Sequence, residues 1–496
     1  MRYCVYALAL TAVLLSAGLA QAATYNVSSF SQLVGALGSA NPGDVVLIQP
    51  GQYHVTSNLY LTRGGFTIRG ATGNFDDVVL YGNGMNVNSG PLEGIWTAAH
   101  GLTIENLTVK GFYHHGVHVC DASDGLADNI TLNNIKIQNC GERYIKGSGS
   151  GTSHNVLIQN VHFLQTEAYL PRPGHPVDPN NYIGGIDAMH TEGWTIRDCR
   201  FEGIRGATGG GRGAIFLWNG CSNALIERNQ IVGCAEGIDL GNGSNPGGIY
   251  HADNAIVRNN FIVQYGSNNR PVQLGYTRDI QFYNNTIYTP DNYNRAVHVY
   301  DSSAIPTINL LLTNNLIRGS ILDSSTGRAT LTNNIIGSVP QANWFVDPNA
   351  GDLHLTGTAG AVVGTGIQQL SVPFDFDGLL RGPFPDIGAD QRTVWLAGDA
   401  NGDRVVDVRD LAILAFNYDA TSGKYWSQGD FTGDTCTNVQ DLAVLAFNYS
   451  KTMPAGSVRA GALVPEPACL ALLPLLCLLR GRRVGTTGVP PVRDDT

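Results

Sequence analysis

Short apolar runs separated by Asn-containing turns recur along most of the chain. Between about Phe66 and Ile336, each instance has a β-rich run, one or two Asn or Asp residues, and a second β-rich run. The instances begin at Leu102, Ile130, Val156, Trp194, Ala224, Ala255, Ile280 and Leu311. Their spacing of roughly 25 to 38 residues is typical of a solenoid with loop insertions. Because the narrow apolar face of one repeat cannot be buried alone, the repeats must stack.

The Asn residues of the repeat have a structural explanation. Asn tolerates left-handed backbone angles, which tight turns between strands often require. An Asn side chain both donates and accepts hydrogen bonds, so stacked Asn residues can link one repeat to the next. We therefore expect columns of Asn in the turns of the solenoid and assign them no catalytic role.

Both ends of the repeat region carry segments that are predicted to close it. Residues 29–37 place apolar side chains at helical spacing, which predicts a short amphipathic helix over the first coil. A turn at residues 41–44 then leads into residues 45–48, predicted as the first strand. At the other end, residues 375–378 and 385–390 are predicted to close the body.

These ends resemble those of a known group of proteins. Secreted bacterial right-handed β-helix proteins of the pectate lyase-like superfamily have similar ends, here SFSQLVGALGSANPGDVVLIQPGQY and DFDGLLRGPFPDIGAD. That group includes polysaccharide lyases of the chondroitinase B and alginate lyase type, whereas the middle of the chain resembles members without a characterised function. The resemblance implies an all-β fold, a right-handed parallel β-helix over residues 23–393, and says less about the reaction.

The net charge of the chain and its N-terminal segment limit the classes of function that the protein can have. The chain has 496 residues and a formal net charge of -10 at pH 7, which argues against a nucleic-acid partner. A polyanionic substrate is also disfavoured unless basic residues gather in one groove. Residues 1–22 have the basic start, apolar core and small-residue cleavage site of a secretory signal, so an exported, extracellular or cell-surface protein is expected.

One column of side chains is expected to face outward from stacked strands of the solenoid. The aligned apolar positions of these strands are Val117, Ile145, Ile186, Ile215, Ile238, Val272 and Val297. Because side chains alternate along a strand, the residue after each of them points outward. These outward residues are His118, Lys146, Asp187, Phe216, Asp239, Gln273 and His298. In the related lyases, this sheet bears the substrate groove.

The same face carries the kinds of side chain that a sugar-binding groove needs. Trp218 lies one step further along its strand, and His190 and Asn219 lie just beyond. Aromatic rings cover the apolar surfaces of a sugar, and polar groups orient its hydroxyls. Residues 169–182 are expected to form a loop wall beside this face. The alternative is a merely solvated face, since outward strand residues are polar by default.

Two reactions are compatible with the candidate catalytic residues Lys146, Asp187, His190 and Asp239. Elimination needs a base that removes the proton α to a uronate carboxyl and a cation that stabilises the resulting enolate. The resemblance implies Lys146 as this base, although the next coil offers Asp187 and His190 where the lyases have a basic residue. Inverting hydrolysis needs two carboxyl groups about 6.5–9.5 Å apart, and Asp187 and Asp239 lie two coils apart. The sequence leaves both reactions open.

Further side chains are predicted to bind substrate, namely His118, Trp218, Asn219, Arg143 and Arg228. The two Arg residues would supply positive charge, but the sequence does not place them in the groove. The acidic metal ligands that precede the catalytic Lys of the related lyases are represented only by Glu142. A further calcium ion in the groove is therefore left open.

Residues 397–451 contain an internal duplication, GDANGDRVVDVRDLAILAFNY and GDFTGDTCTNVQDLAVLAFNY. Calcium takes six to eight oxygen ligands, which an EF-type loop supplies at positions 1, 3, 5, 7, 9 and 12. The matching positions are Asp399, Asn401, Asp403, the Val405 carbonyl, Asp407 and Asp410, then Asp430, Thr432, Asp434, the Cys436 carbonyl, Asn438 and Asp441. Each repeat resembles half of a dockerin domain, which implies two calcium ions and either a cohesin domain as partner or intramolecular docking.

The C-terminal segment resembles a PEP-CTERM sorting signal. Residues 464–483 have a Pro-Glu-Pro motif, a short apolar run and a basic end, VPEPACLALLPLLCLLRGRR. The resemblance implies recognition and removal by sorting machinery during export, with residues 452–463 as a linker and 484–496 as a tail. A plain C-terminal membrane anchor is the alternative.

Two function classes follow from these patterns. The first is an exported enzyme that degrades an extracellular polysaccharide and is attached through the dockerin-like module. The second is a non-catalytic surface protein that binds glycans or serves adhesion. Analogy of fold does not separate the two classes.

Overall fold

The structure, a computed structural model, describes residues 22–120, 127–147, 151–245, 247–265, 270–392 and 394–454. The predicted sorting segment and tail, and the predicted signal peptide apart from Ala22, lie outside these residues. The described residues belong to one compact unit that ends at Ser457. Within them, no helix is both long and apolar enough to cross a membrane.

Parallel strands stacked coil upon coil form the body of the molecule, which confirms the predicted solenoid and is consistent with a right-handed β-helix. One sheet, here called the groove sheet, has ten strands. Its strands are Leu59–Leu61, Ile95–Thr97, His115–Val119, Arg143–Gly147, Gly184–Met189, Gly213–Trp218, Glu236–Leu240, Val272–Gly275, Val297–Tyr300 and Ile321–Asp323.

The other faces of the solenoid form a 25-stranded parallel ladder. Its strands are Thr24–Val27, Val45–Ile48, Gly51–His54, Thr67–Gly70, Val78–Tyr81, Thr103–Glu105, Thr108–Phe112, Thr131–Cys140, Ser153–His154, Leu157–Leu164, Thr191–Glu192, Thr195–Arg197, Arg200–Glu202, Cys221–Ser222, Leu225–Glu227, Gln230–Val232, Ala252–Asp253, Ile256–Arg258, Phe261–Val263, Thr277–Tyr283, Thr286–Tyr288, Ile308–Thr313, Leu316–Arg318, Thr330–Thr332 and Ile335–Gly337. The strand Thr24–Val27 precedes Val45–Ile48 and pairs with it, so the prediction of Val45–Ile48 as first strand was wrong.

Buried Asn residues link successive coils, as predicted. Nδ2 of Asn229 donates to Oδ1 of Asn260 at 3.0 Å, and Asn260 donates to Asn285 at 2.9 Å. The ladder continues through Asn315 to Asn334, at 3.2 Å and 2.9 Å. The residue before each Asn from Asn229 to Asn334 has a φ between 50° and 56°, the left-handed region that Asn tolerates.

The first coil is covered by a helix, α1 (Phe30–Ser39), as the sequence predicts. Its N-terminal amide at Gln32 donates to the side chain of Ser29, and its buried Leu33 faces the core. At the other end, the Asn259 side chain donates to the Phe374 carbonyl at 2.7 Å. Asn284 likewise donates to the carbonyls of Asp386 and Gly388, both at 3.2 Å, so the predicted closing segment 385–390 contacts the Asn turns of the last coils.

Beyond the solenoid are a small antiparallel sheet and two helices with matching caps. The sheet pairs Phe345–Asp347 with Asp352–Leu355. The helices are α2 (Val408–Asn417) and α3 (Val439–Asn448), and each begins with a capping box. Short 3-10 helices occur at Phe75–Asp77, Ala342–Trp344 and Trp426–Gln428.

Candidate functional site

The groove sheet presents one continuous column of outward side chains in register from coil to coil. The column consists of Tyr60, Trp96, His118, Lys146, Asp187, Phe216, Asp239, Gln273, His298 and Leu322. The predicted register from His118 to His298 is therefore confirmed. Since neighbouring strands are about 4.8 Å apart, each residue of the column can contact its neighbours.

Asp187 lies at the centre of this column, where three donors surround it. Its Oδ2 is 2.6 Å from Nε of Arg143, and its Oδ1 is 3.2 Å from Nζ of Lys146. Trp218 also donates its indole N–H to Oδ1 at 3.0 Å. Burial opposes ionisation of Asp187, but the charges of Arg143 and Lys146 outweigh it and hold the carboxyl pKa well below its usual range. Asp187 is thus a buried carboxylate whose oxygens already accept from three donors, although alternation along the strand turns it to the outward face.

The loop of residues 169–182 walls this part of the groove, as predicted. The Arg143 guanidinium lies 4.1 Å from the ring centre of Tyr182. Arg172 donates to the carbonyls of Met85 and Tyr113, both at 2.8 Å, and so ties the loop to earlier coils. Glu142, the one acidic residue that a groove calcium ion would have used, pairs instead with Arg172 at 3.4 Å.

Towards the first coils, the column meets a pocket of about 370 Å³ that is lined by Tyr60, Trp96 and His118, among others. Nδ1 of His118 lies 3.1 Å from a carboxylate oxygen of Glu93. Burial opposes protonation of His118, but hydrogen bonds to Cys120 and Glu93 outweigh it and raise its pKa to about 9. Trp96 contacts both Tyr60 and His118 edge-on. This end of the groove therefore combines aromatic surface with an imidazole paired with a carboxylate.

Towards the last coils, Asp239 pairs with a second carboxyl group that the sequence reasoning missed. Glu236 lies three residues earlier in the same strand, and the two carboxyls are hydrogen-bonded to each other. Burial and the negative charge of Glu236 raise the pKa of Asp239 well above its usual range, and burial raises that of Glu236. The pair therefore holds a proton more tightly than an isolated carboxyl group does, because two adjacent carboxyls oppose each other's ionisation.

This carboxyl pair opens into a polar pocket of about 250 Å³ between neighbouring coils. A methyl group at Gly213 would lie 2.8 Å from Oδ2 of Asp239, so glycine leaves room for the carboxyl. Gln273 donates to Oδ1 of Asp239 at 3.2 Å. Tyr300 covers Gly275 across the pocket, and its buried hydroxyl has no hydrogen-bond partner among the described residues. The pocket is thus lined by a carboxyl group with a raised pKa and by polar side chains that can contact a ligand.

The remaining lining supplies charge and an aromatic platform. Arg212 and Arg270 line the pocket beside Phe216. The Phe216 ring stacks on Trp218, with ring centres 5.4 Å apart and planes 1° from parallel. Arg270 was not predicted, because it follows a long loop and the hydrophobic pattern does not place it.

Three predicted residues lie away from this centre. Arg228 occupies a turn with a φ of 52° and pairs with Asp198 at 2.7 Å, so it does not reach the groove. His190 and Asn219 follow their strands at left-handed turn positions, and Asn219 lies 3.3 Å from Nε2 of His190. These two residues flank the groove and contact neither Asp187 nor Asp239 in a hydrogen bond.

The predicted calcium ligands lie in two loops of similar geometry that run into the first turns of α2 and α3, where Asp410 and Asp441 are placed. Asp410 accepts from the amides of Ala400 and Asn401, and Asp441 accepts from the matching amides of Phe431 and Thr432. Carboxylate oxygens of Asp430, Asp434 and Asp441 lie within 4.8 Å of one another. In the first loop, Arg409 lies 2.8 Å from both Asp403 and Asp407. The other predicted ligands, Asp399, Asn401, Val405, Thr432, Cys436 and Asn438, lie in the same two loops.

The fold and its polar groove define a protein of the parallel β-helix class. Residues 93–287 match a family model described as the right handed beta helix region. An alginate lyase from Paenibacillus has 16% sequence identity and a TM-score of 0.42, with 64% of this chain and 99% of that chain covered. A pectate lyase has 16% identity and a TM-score of 0.45, covering 76% and 98%. A surface adhesin of Streptococcus pneumoniae has 12% identity and a TM-score of 0.34, covering 62% and 86%. No curated protein matches the chain.

Proposed function

We infer that the groove sheet binds an extracellular polysaccharide and that the Glu236–Asp239 pair supplies the proton for cleaving a glycosidic bond by hydrolysis. The observation that carries this proposal is a proton-holding carboxyl pair at the edge of a polar pocket. A carboxyl group with a raised pKa is what a glycosidase uses as its general acid. The proton passes to the glycosidic oxygen, the bond to the anomeric carbon breaks, and a water molecule adds to that carbon and releases its proton.

The form of the groove supports an extended sugar chain as ligand. Tyr60 and Trp96 lie on its first two strands, and Phe216 and Trp218 share one strand that lies four strands beyond that of Trp96. The accessible rings of Tyr60, Trp96 and Trp218 can stack on sugar rings, while the polar side chains between them bind hydroxyls. A chain that continues beyond Trp218 by one strand would reach the 250 Å³ pocket at the carboxyl pair.

Hydrolysis is favoured over elimination by the state of Lys146 and Arg143. Both are ion-paired with Asp187, at 3.2 Å and 2.6 Å. Elimination would need a free base and a free cation at the uronate carboxyl, and both candidates are engaged with a carboxylate. The carboxyl pair, by contrast, is open to a pocket.

A polysaccharide screen with the purified protein tests this proposal. New reducing ends without ultraviolet-absorbing product mean hydrolysis, which we expect. Unsaturated product that absorbs in the ultraviolet means elimination and would transfer the reaction to Lys146. Binding without any product means a non-catalytic, adhesive protein and overturns the proposed activity.

We propose further that the two C-terminal loops bind two calcium ions and form a dockerin-like module with a cohesin domain as its partner. Three converging carboxylates in the second loop are ligands that calcium prefers. Phe416 and Phe447 occupy matching positions of α2 and α3 and are 90% and 78% exposed. Two equivalent exposed aromatics provide an apolar surface for a partner; docking within the chain is the alternative that a binding assay with cohesin domains would reveal.

Calcium is expected to stabilise this module measurably. At 100 times its dissociation constant, a ligand that binds only the folded state adds about 2.7 kcal/mol. We expect calorimetry on the full chain to detect two calcium ions in the parent protein and one each in Asp410→Ala and Asp441→Ala. The exposed Asp291→Ala variant is the control and should keep both ions. Two ions in all three variants would contradict the assignment of the loops.

We also propose that the protein is exported and that its C-terminal sorting segment is removed. The proposal rests on the motifs in residues 1–22 and 464–483. Protein isolated from its native host is expected to lack both segments. An intact mass that includes residues 480–483 would refute removal of the sorting segment and would favour a membrane anchor.

A further inference from the structure

Glu93, His115 and His118 form a compact group of side chains, here called the histidine cluster, at the first-coil end of the groove. Nδ1 of His118 lies 3.1 Å from Oε2 of Glu93, and Nε2 of His115 lies 3.8 Å from Oε1. One ligand atom from each of the three residues can be chosen so that all lie within 4.8 Å of one another. His115 and His118 both come from the strand His115–Val119, so the backbone of one strand fixes their separation.

The spacing of these atoms matches what a tetrahedral metal ion requires. Ligands bonded to zinc at 2.0–2.1 Å lie about 3.4 Å apart in a tetrahedron. Oε1 of Glu93 lies 3.2 Å from Nδ1 of His118 and 3.8 Å from Nε2 of His115, and these two separations bracket this value. Two imidazoles and one carboxylate are a donor set of zinc and related transition metals. Calcium, which takes six to eight oxygen ligands, is not suited to a set with two nitrogen donors.

His115 provides an independent observation. It is 9% exposed, and its Nδ1 is buried without a hydrogen-bond partner among the described residues. Its Nε2 lies 3.8 Å from Glu93, which is beyond hydrogen-bonding distance. Nε2 is therefore the ring nitrogen that faces the carboxylate without a hydrogen bond to it, and so is open to a metal ion.

From this geometry we propose that the histidine cluster binds one divalent transition-metal ion of the zinc type. Three protein ligands leave the fourth position of a tetrahedral ion open. The neighbouring pocket of about 370 Å³ is lined by Glu93 and His118 and by the aromatic Tyr60 and Trp96. The open position therefore faces the groove, where it can take a hydroxyl or carboxylate oxygen of a bound sugar. The site is separate from the Glu236–Asp239 pair and does not depend on the proposed hydrolysis.

Cobalt(II) is a suitable probe, because its visible absorption reports the ligands and the geometry of the site. We expect tag-free protein, already saturated with calcium, to bind one equivalent of cobalt with a tetrahedral spectrum, and zinc to displace it. Loss of a ligand in His118→Ala should weaken binding by more than the roughly 10–100-fold that loss of an outer-shell contact costs. The measurement needs no substrate, so it stands whether or not the screen finds an enzyme activity.

His162→Ala is the matched control, since His162 belongs to a strand of the other sheet and pairs with Glu202 at 3.4 Å. It should bind cobalt like the parent protein. His118→Gln, which removes the imidazole but keeps a polar side chain, covers the case in which His118→Ala folds poorly. Equal cobalt uptake by His118→Gln and the parent, or no uptake by the parent, would overturn the proposal. Either result would leave the cluster as a hydrogen-bonded charge network only.

Discussion

Replacing Asp239 by Asn is expected to lower the rate of polysaccharide cleavage by about 10²–10⁴-fold, the usual contribution of a general acid. An amide has the shape of a protonated carboxyl but cannot give up a proton to the leaving oxygen. It can still accept the hydrogen bond from Gln273, which now holds Asp239 at 3.2 Å. The variant should therefore fold and bind substrate, and the loss should fall on kcat rather than KM.

The same substitution is expected to raise the stability of the protein while it lowers activity, so the loss of activity cannot be explained by unfolding of the variant. Burial and Glu236 raise the pKa of Asp239 in the folded state. The folded protein thus holds more protons than the unfolded chain between the unfolded pKa of about 3.9 and the raised value. Stability falls as the pH rises through this range, and activity is lost as the pH rises through the raised value. Asp239→Asn should remove this part of the pH dependence and melt higher than the parent protein above pH 7.

Asp253→Asn provides the matched control, since Asp253 lies on the other sheet and pairs with Arg278 at the surface. It should leave both activity and its pH profile unchanged. Glu236→Gln should resemble Asp239→Asn, because either change breaks the shared-proton pair. Full activity in both Glu236→Gln and Asp239→Asn, on the substrate that the screen identifies, would place the catalytic acid elsewhere.

The sequence predicts the groove sheet because a period of two and an apolar interior leave only one register. Ile145, Ile186 and Ile215 do lie side by side, so Lys146, Asp187 and Phe216 follow in the next column. A slip by one residue would turn the apolar side chains of Ile145, Ile186 and Ile215 to the outside. The Asn ladder is predictable for a similar reason, since left-handed turns and buried amides restrict the residue type.

The environment of each groove residue could not be predicted in this way. Strict alternation is broken at Tyr144 and Ile145, which are both fully buried, and Arg143 therefore lies on the same face as Asp187. The loop that covers Arg143 with Tyr182 has no periodic pattern to place it. Alternation shows which way a side chain points, whereas its pKa depends on partners that are distant in sequence.

Asp187→Ala is expected to lower the free energy of unfolding by about 3–5 kcal/mol, which is the cost of removing one partner of a buried ion pair. In the structure, Asp187 is 3% exposed, and its loss leaves the guanidinium of Arg143, whose side chain is 2% exposed, without its carboxylate. Urea unfolding at pH 7, with fluorescence as the signal, measures the change.

The half-exposed ion pair of Asp253 and Arg278 supplies the comparison, because Asp253→Ala should cost no more than about 1 kcal/mol.

Since Arg143 and Lys146 hold the pKa of Asp187 down, its stabilisation is complete above the unfolded pKa of about 3.9 and is lost as the pH falls below it. The difference between the parent protein and Asp187→Ala should shrink accordingly in acid. Replacing both partners, with Arg143→Met and Asp187→Leu, should restore much of the stability, since no charge is then buried alone. An Asp187→Ala variant within 1 kcal/mol of the parent at pH 7 would mean that water reaches Arg143, and that Asp187 is free to act in the groove after all.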